Sequence, residues 1–214
     1  MSGELPPGNL LDLVDWRRRV FALYEEVRRA ADPRSAWDRW REAREELFRD
    51  HPQSPVPPER REEFSGLSYF DYDPEARTLA EVVDAPPEPH DIATSAGDGG
   101  AYGFVRFALA RFELRGEQFE LELYWLTGYG GGVFLPFRDG TSGAETYGGG
   151  RYLLDTAKGA DLGAQDGRLV LDFNFAYHPS CVYDPGWACP LAPHPNWLDV
   201  PIRAGERDPS GHRG

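Results

Sequence analysis

The sequence predicts a mainly β fold with an N-terminal α-helical part: an antiparallel barrel-like sheet, or alternatively a β-sandwich, preceded by two helices. Up to about residue 50, apolar residues recur with a period near 3.6, as on one face of a helix. Further along they mostly alternate with polar residues, as on half-buried antiparallel strands. Strands and helical segments do not alternate along the chain, so a parallel sheet is not expected.

The chain divides into three predicted parts. Residues 1–52 form a helical arm packed on the β domain, residues 53–207 form that antiparallel β domain, and residues 208–214 form a flexible tail. The β domain opens with a proline-rich stretch, which is expected to be extended because each proline disfavours helix in the preceding residue. A length of 214 residues suits one domain of this kind.

Two amphipathic helices are predicted in the helical arm. The first spans residues 9–31 and begins at Asn9, whose side-chain oxygen can accept a hydrogen bond from a free backbone N–H. The second begins at Pro33 with Asp32 as its cap, because proline is well suited to the first helical position. It ends at His51, which a proline follows.

The β domain is predicted to contain eight strands, bounded by turn-forming residues. They span residues 66–72, 77–84, 101–114, 117–127, 132–137, 150–155, 168–177 and 198–203. The segment Ala85–Gly100 is predicted to be a loop with at most one short strand. In the strand over residues 168–177, Asp172 and Asn174 share the polar face.

The clearest local structure is a hairpin between residues 101 and 126. A two-residue turn at 115–116 uses a glycine, which tolerates positive φ. This register pairs Phe112 with Phe119 on one face and Arg111 with Glu120 on the other. Apolar residues then meet apolar residues and opposite charges meet, so two independent features of the sequence support the same register.

The charge of the chain excludes some partners. Its net charge is −13 with a pI near 4.8, and it has no basic cluster that could neutralise phosphates, so we expect no nucleic-acid partner. Anionic membrane surfaces are disfavoured for the same reason. The basic residues are 22 arginines and one lysine. A GC-rich genome or a salt-adapted source explains that bias, and salt adaptation also explains the acidity.

The N-terminus lacks the basic and apolar regions of a signal peptide, and no stretch approaches 18 apolar residues. We therefore expect a cytoplasmic protein that does not enter a membrane. In that compartment the two cysteines are expected to be free thiols.

Several separate motifs occur in a consistent order in the second half of the chain: F-R-D-G-T-S-G at 137–143, T-Y-G-G-G-R at 146–151, D-F-N at 172–174, C-P at 189–190 and A-G-E at 204–206. With these motifs the sequence resembles the domain of unknown function 1684 family of bacterial and archaeal proteins. The resemblance covers roughly residues 60–207 and implies that these motifs belong together. At His178 the family usually has asparagine.

Polar residues of these motifs are the candidate ligand-binding residues. They are Arg138, Asp139, Thr141, Ser142, Tyr147, Arg151, Asp172 and Asn174. In the leading hypothesis they line a small-molecule pocket, where the two arginines hold a polar or acidic ligand group and Asp172 orients Arg151. In the alternative hypothesis the same side chains form a buried polar network of a structural or interaction module. The pattern identifies no cofactor, oligomeric state or particular reaction, so enzymatic activity stays open.

Two further hypotheses concern the cysteines. His178, Cys181, Cys189 and His194 have the residue types of a tetrahedral zinc site, although the spacing matches no familiar zinc motif. Cys181 could also act as a nucleophile with His178 as its base. Both compete with the simpler interpretation of a proline- and aromatic-rich loop that holds two small thiols.

Overall fold

The structure is a computed structural model that describes residues 10–208. The predicted cap at Asn9 and the predicted tail beyond Asp208 lie outside the described residues.

The two predicted helices are present as α1, Leu10–Arg29, and α2, Pro33–Asp50. The Asp32 carboxylate caps α2 by accepting hydrogen bonds from the backbone N–H groups of Arg34 and Ser35. These bonds satisfy donors that a helix N-terminus leaves free, which is why the second helix begins where the sequence predicts.

Within residues 10–208, nine strands follow the helices. They are β1, Ser68–Tyr69; β2, Arg77–Ala93; β3, Ala101–Leu114; β4, Glu117–Leu126; β5, Val133–Phe137; β6, Arg151–Asp155; β7, Ala164–Gln165; β8, Arg168–Asp172; and β9, Glu206–Arg207. Seven form an antiparallel sheet in the order β6-β5-β4-β3-β2-β8-β7, and β1 pairs with β9 separately. The predicted antiparallel sheet behind two helices is therefore confirmed. The sheet is open, because β6 and β7 are its edges and do not pair with each other.

The predicted register of the β3–β4 hairpin is correct. Phe112 pairs with Phe119, and Arg111 pairs with Glu120 through a 2.6 Å ion pair on the exposed face. The turn has φ of 51° at Arg115 and 83° at Gly116, and positive φ at both central residues matches the twist of the flanking strands.

Predictions for three segments of the β domain were wrong, in addition to the strand predicted over 168–177. The segment Ala85–Gly100 is not mainly a loop, because β2 continues to Ala93 past a register shift between Asp84 and Glu88. That irregularity accommodates two prolines, which cannot donate to the ladder. The predicted strand at 66–72 is only the two-residue β1, and 198–203 is irregular chain that crosses beside Arg138 and Gly140.

The strand predicted over 168–177 ends at Asp172. The Asp172 carboxylate accepts a hydrogen bond from the Asn174 N–H at 3.1 Å, which turns the backbone into the 3-10 helix Phe173–Phe175. Asp172 and Asn174 therefore do not alternate along one strand face. Phe173 and Phe175 are nevertheless buried, as the apolar pattern required.

One large hydrophobic cluster joins the helices to the sheet. Trp37 and Trp40 of α2 pack with Phe175, and the Trp37 indole N–H donates to the Asn174 carbonyl at 2.8 Å. A smaller aromatic cluster forms from residues of β2 to β6, including Tyr124, whose neighbour Leu123 belongs to the large cluster. Because neighbouring residues in a strand point to opposite faces, both faces of this part of the sheet are covered.

Candidate functional site

Arg151, the first residue of β6, is a fully buried arginine that holds the C-terminal segment. Its guanidinium donates to the backbone carbonyls of Ile202 at 2.9 Å, Glu206 at 3.2 Å and Ala204. Its Nη2 also lies 3.4 Å from a carboxylate oxygen of Asp139. Burial lowers the pKa of Arg151, and the Asp139 charge opposes that shift. The two Nη nitrogens of Arg151 are thus paired with acceptors of this chain, whereas within residues 10–208 its buried Nε has no hydrogen-bond partner.

Asp139 is the centre of a closed loop of hydrogen bonds. Its carboxylate accepts from the Thr141 hydroxyl at 2.9 and 3.0 Å and from the Ile202 N–H at 2.6 Å. Thr141 lies 2.9 Å from the Thr146 hydroxyl, and the Ser142 hydroxyl lies 3.4 Å from Asp139. A carboxylate with this many internal donors has little capacity left to bind a ligand.

A second buried ion pair, missed by the sequence reasoning, joins the helical arm to the C-terminal segment. Arg44 of α2 donates to Glu206 at 2.8 Å and lies 4.9 Å above the Trp40 ring and 5.0 Å above the Tyr177 ring. Burial raises the pKa of Glu206, whereas Arg44 lowers it. The A-G-E motif marks Glu206, but Arg44 lies on an ordinary charged helix pattern, so the sequence contains no signal for the pair.

His178 lies next to the ion pair between Arg44 and Glu206. Its Nε2 accepts from the Tyr147 N–H at 3.3 Å, so in the neutral ring the proton is on Nδ1. That Nδ1 is 4.0 Å from a Glu206 oxygen, and within residues 10–208 neither atom has a hydrogen-bond partner. Burial, followed by the nearby arginines, lowers the pKa of His178 well below its usual range. The low pKa favours the neutral histidine, and within residues 10–208 no hydrogen bond joins it to Cys181, for which it was the predicted base.

Asp172 and Asn174 belong to a different part of the molecule. Asp172 does not pair with Arg151 as predicted; it lies 3.7 Å from Arg77 and accepts from the Asn174 side chain at 2.9 Å. Asn174 accepts from the Asp73 N–H at 2.9 Å and donates to the Asp73 carbonyl at 2.7 Å. This reciprocal pair fixes the chain that leads into β2. Asn196, which the sequence reasoning did not select, binds Glu122 in the same way.

Three members of the predicted set are partly exposed, namely Arg138, Ser142 and Tyr147. The Arg138 guanidinium stacks 4.1 Å above the Trp197 ring. The Tyr147 hydroxyl lies 3.8 Å from the sulfur of Cys181. Arg138 is thus positioned by an aromatic surface, whereas Tyr147 faces a cleft.

That cleft has a volume of about 480 Å³ and lies between the segment 56–68 and the C-terminal motifs. We call it the arm cleft. Its walls include Arg60, Phe64, Tyr147, Cys181, Tyr183 and Arg207. Of the eight predicted site residues, Tyr147 lines this cleft, and Asp172 lines a separate cleft of about 360 Å³ beside α1 and α2.

The four predicted zinc ligands do not form a metal site in the structure. Within residues 10–208, no group of three or more His, Cys, Asp or Glu side chains is arranged to hold a metal ion. His178 binds the Tyr147 N–H, and His194 packs against Trp197 with ring centroids 4.9 Å apart. In the same part of the chain, no helix is long and apolar enough to cross a membrane.

The fold and these contacts define an open antiparallel sheet protein whose C-terminal segment is held by buried arginines. The chain belongs to the family described as protein of unknown function (DUF1684), whose profile matches residues 62–207. It is also similar to an uncharacterised protein from Haloarcula marismortui solved by solution NMR. The two chains are 38% identical, the match covers 84% of this chain and 96% of that chain, and the TM-score is 0.60. No curated protein matches the chain. The resemblance predicted from the motifs is thus confirmed.

Proposed function

We propose that this protein is a small-molecule-binding domain whose ligand occupies the arm cleft. The observation that carries the proposal is a cleft of about 480 Å³ between the family motifs and the segment after the helical arm. Ligand pockets are generally concave sites of about 300–1,000 Å³ with mostly apolar walls and a few polar groups. Three separate parts of the chain meet at this one surface. Tyr147 lies in the T-Y-G-G-G-R motif, Arg207 directly follows the A-G-E motif, and Cys181 lies between these motifs in the sequence.

The arginines of the cleft favour a small ligand with an acidic group and an apolar part, and the carboxylates of Glu63 and Asp208, which also line the cleft, restrict where that acidic group can lie. Arg60 and Arg207 supply guanidinium groups, which bind carboxylate and phosphate well, and Arg207 is partly shielded from solvent. Phe64, Tyr147 and Tyr183 supply apolar surface with two hydroxyls. Arg207 is oriented by a 3.1 Å hydrogen bond to the Ser68 hydroxyl.

In this proposal Asp139 and Arg151 do not contact the ligand but hold the wall that carries Arg207. Their hydrogen bonds fix the backbone from Ile202 to Glu206, immediately before Arg207. The alternative is a structural or interaction module in which this network is the purpose of the motifs. The Asp139 carboxylate already accepts hydrogen bonds from donors of this chain. For Asp139 and Arg151, this favours the structural network over contact with a ligand.

The binding proposal is tested by screening small carboxylates and phosphates that carry an apolar group, using native mass spectrometry and amide chemical shifts. We expect shifts around Tyr147 and Arg207 and at least about a tenfold loss of affinity in Arg207→Ala, the size expected for a charge-assisted contact. Arg111→Ala, on the exposed hairpin face, is the control and should bind normally. A screen at millimolar concentration without any shift at the arm cleft would overturn the proposal.

Stability measurements separate the ligand-facing residue from the network. Arg151→Met leaves Asp139 buried without its cation, so we expect the free energy of unfolding to fall by about 3–5 kcal/mol. Tyr147→Phe removes only a half-exposed hydroxyl and should change it by less than about 1 kcal/mol. Urea denaturation of both variants gives the two values. Equal large losses would instead place Tyr147 in the structural network.

A further inference from the structure

Cys181 lines the arm cleft, and Cys189 lies next to it outside the cleft wall. Cys181 is in the 3-10 helix Ser180–Val182 and is half-buried, whereas Cys189 is buried. Both are free thiols, and their side chains interact with each other. The chain between them is irregular, so neither cysteine is fixed within a long helix or strand.

Hydroxyl groups surround the Cys181 sulfur. The Tyr147 hydroxyl is 3.8 Å away, and the Ser95 hydroxyl also interacts with it. Ser95 is itself fixed, because its oxygen accepts from the Cys189 N–H at 3.0 Å and its hydroxyl donates to the Trp187 carbonyl at 3.1 Å. The Tyr147 hydroxyl can donate to the Cys181 sulfur and so stabilise a thiolate, which is the reactive form of cysteine.

The pKa values of the two thiols shift in opposite directions. The hydrogen bond from Cys189, followed by those from Ser95 and Tyr147, lowers the pKa of Cys181 to about 6. The same Cys181–Cys189 hydrogen bond, with burial, raises the pKa of Cys189. The cleft exposes Cys181, whereas Cys189 is buried beside it, which is the arrangement of an attacking and a resolving cysteine.

We propose that Cys181 and Cys189 form a redox-active pair that reduces small hydroperoxides, with Cys181 attacking from the arm cleft and Cys189 closing a disulfide. The Cys181 sulfur forms a bond to the distal peroxide oxygen, the O–O bond breaks, and the leaving alkoxide or hydroxide takes a proton from solvent. Cys189, giving up its proton, then attacks the sulfenic acid, the S–O bond breaks, and water leaves. The dithiol supplies two electrons, and the peroxide becomes an alcohol or water. This proposal does not depend on the ligand-binding proposal.

The first test is the reactivity of each thiol. Iodoacetamide should alkylate Cys181 at least about tenfold faster than Cys189 at pH 7, because the rate follows the thiolate fraction. The pH profile for Cys181 should have its midpoint near 6. Tyr147→Phe removes a hydroxyl beside the sulfur and should move that midpoint upward. Tyr183→Phe, in the same cleft but with no hydroxyl contact to Cys181 in the described residues, is the matched control and should not move it.

The second test follows the products. Hydrogen peroxide added to the full chain should yield a protein lighter by two hydrogens, restored by dithiothreitol. Cys189→Ser should stop at a sulfenic acid that dimedone traps on Cys181, and Cys181→Ser should resist oxidation at the same peroxide concentration. Ordinary, equal reactivity of the two thiols would overturn the proposal. So would failure of peroxide to join them in a protein whose circular dichroism shows it to be folded.

Discussion

Buried polar side chains in this protein mainly bind backbone, not other side chains. Arg151 donates to three backbone carbonyls. The side chain of Asn174 binds the backbone N–H and carbonyl of Asp73, and that of Asn196 binds the same two backbone groups of Glu122. Irregular chain that enters the core must satisfy its backbone hydrogen bonds away from any strand ladder. These side chains supply the missing partners, which explains why specific polar residues occur in motifs that form no regular strand.

The titration of Asp172 gives a prediction at the residue scale. Burial raises its pKa from 3.8 to about 6, because Arg77 and the Asn174 hydrogen bonds only partly offset desolvation. Between pH 4 and 6 the folded state keeps a proton that the unfolded state releases, so stability falls as pH rises. The loss across this window should be roughly 3 kcal/mol, at about 1.4 kcal/mol per pH unit.

Urea denaturation at a series of pH values measures this effect. Asp172→Asn cannot ionise and should be flatter with pH than the native chain between pH 4 and 6. Glu120→Gln, on the exposed face of the hairpin, is the control and should keep the native slope. Parallel curves for Asp172→Asn and the native chain would show that Asp172 does not titrate in this window.

The sequence predicts which polar residues are unusual but not which of them meet. Motif density selected Asp139 and Arg151, and both are buried. Their pairing depends on how the loop after β5 returns to β6, and Asp172 is equally suitable as a partner by residue type. The sequence alone cannot separate a carboxylate that faces a ligand from one that caps a local turn.

At the scale of elements, the hairpin was predictable because its register is fixed locally. Two strands joined by a two-residue turn have one pairing that satisfies both faces. The end of β8 could not be predicted from the alternation of apolar and polar residues. Phe173 and Phe175 are buried in a 3-10 helix, just as they would be in a strand. The length of β2 was missed because proline is a strong loop signal, yet a register shift accommodates it.

Gly205 of the A-G-E motif allows a prediction at this scale. Its φ is +77°, and a Cβ there would lie 2.6 Å from the carbonyl oxygens of Phe173 and Ala176. Gly116 in the hairpin turn has a similar φ of +83° but nothing within 4 Å of its Cβ position. Gly116→Ala should therefore cost only the backbone strain, about 1–2 kcal/mol.

Gly205→Ala should cost clearly more than Gly116→Ala, because two carbonyls must also move out of the core. Thermal and urea unfolding of the two variants give the comparison. If the two substitutions destabilise equally, the close approach of Gly205 to the backbone turn at 173–176 is not needed for stability.

At the scale of the whole molecule, the helical arm and the β domain share one core. Trp37 and Trp40 pack against residues of the sheet and the C-terminal turns, and Arg44 pairs with Glu206. We therefore expect the helical arm and the β domain to unfold together. The boundary between them at residue 52 stays a prediction. The salt adaptation inferred from the charge of −13 stays a prediction.

Hydrogen exchange in increasing denaturant tests this cooperativity. Amides of α2 and of the β3–β4 hairpin should lose protection over the same range, and Trp37→Phe should lower both midpoints, because it leaves the Asn174 carbonyl without its 2.8 Å partner. Trp125→Phe, on an exposed strand position, is the matched control. Earlier loss in α2 would show that the arm unfolds separately.

The open sheet also affects how copies of the protein meet in a concentrated solution. An uncovered edge strand is a template on which another chain can begin a fibril. Here β7 has only two residues, and the outer side of β6 is occupied at Tyr152 by Tyr177 and at Asp155 by Ala160. Within residues 10–208, β2 has no β8 partner beyond Ala80, but Pro86, Pro87 and Pro89 and the register shift between Asp84 and Glu88 interrupt this long open side. With mutual repulsion between acidic surfaces, this geometry should keep fibril nucleation slow.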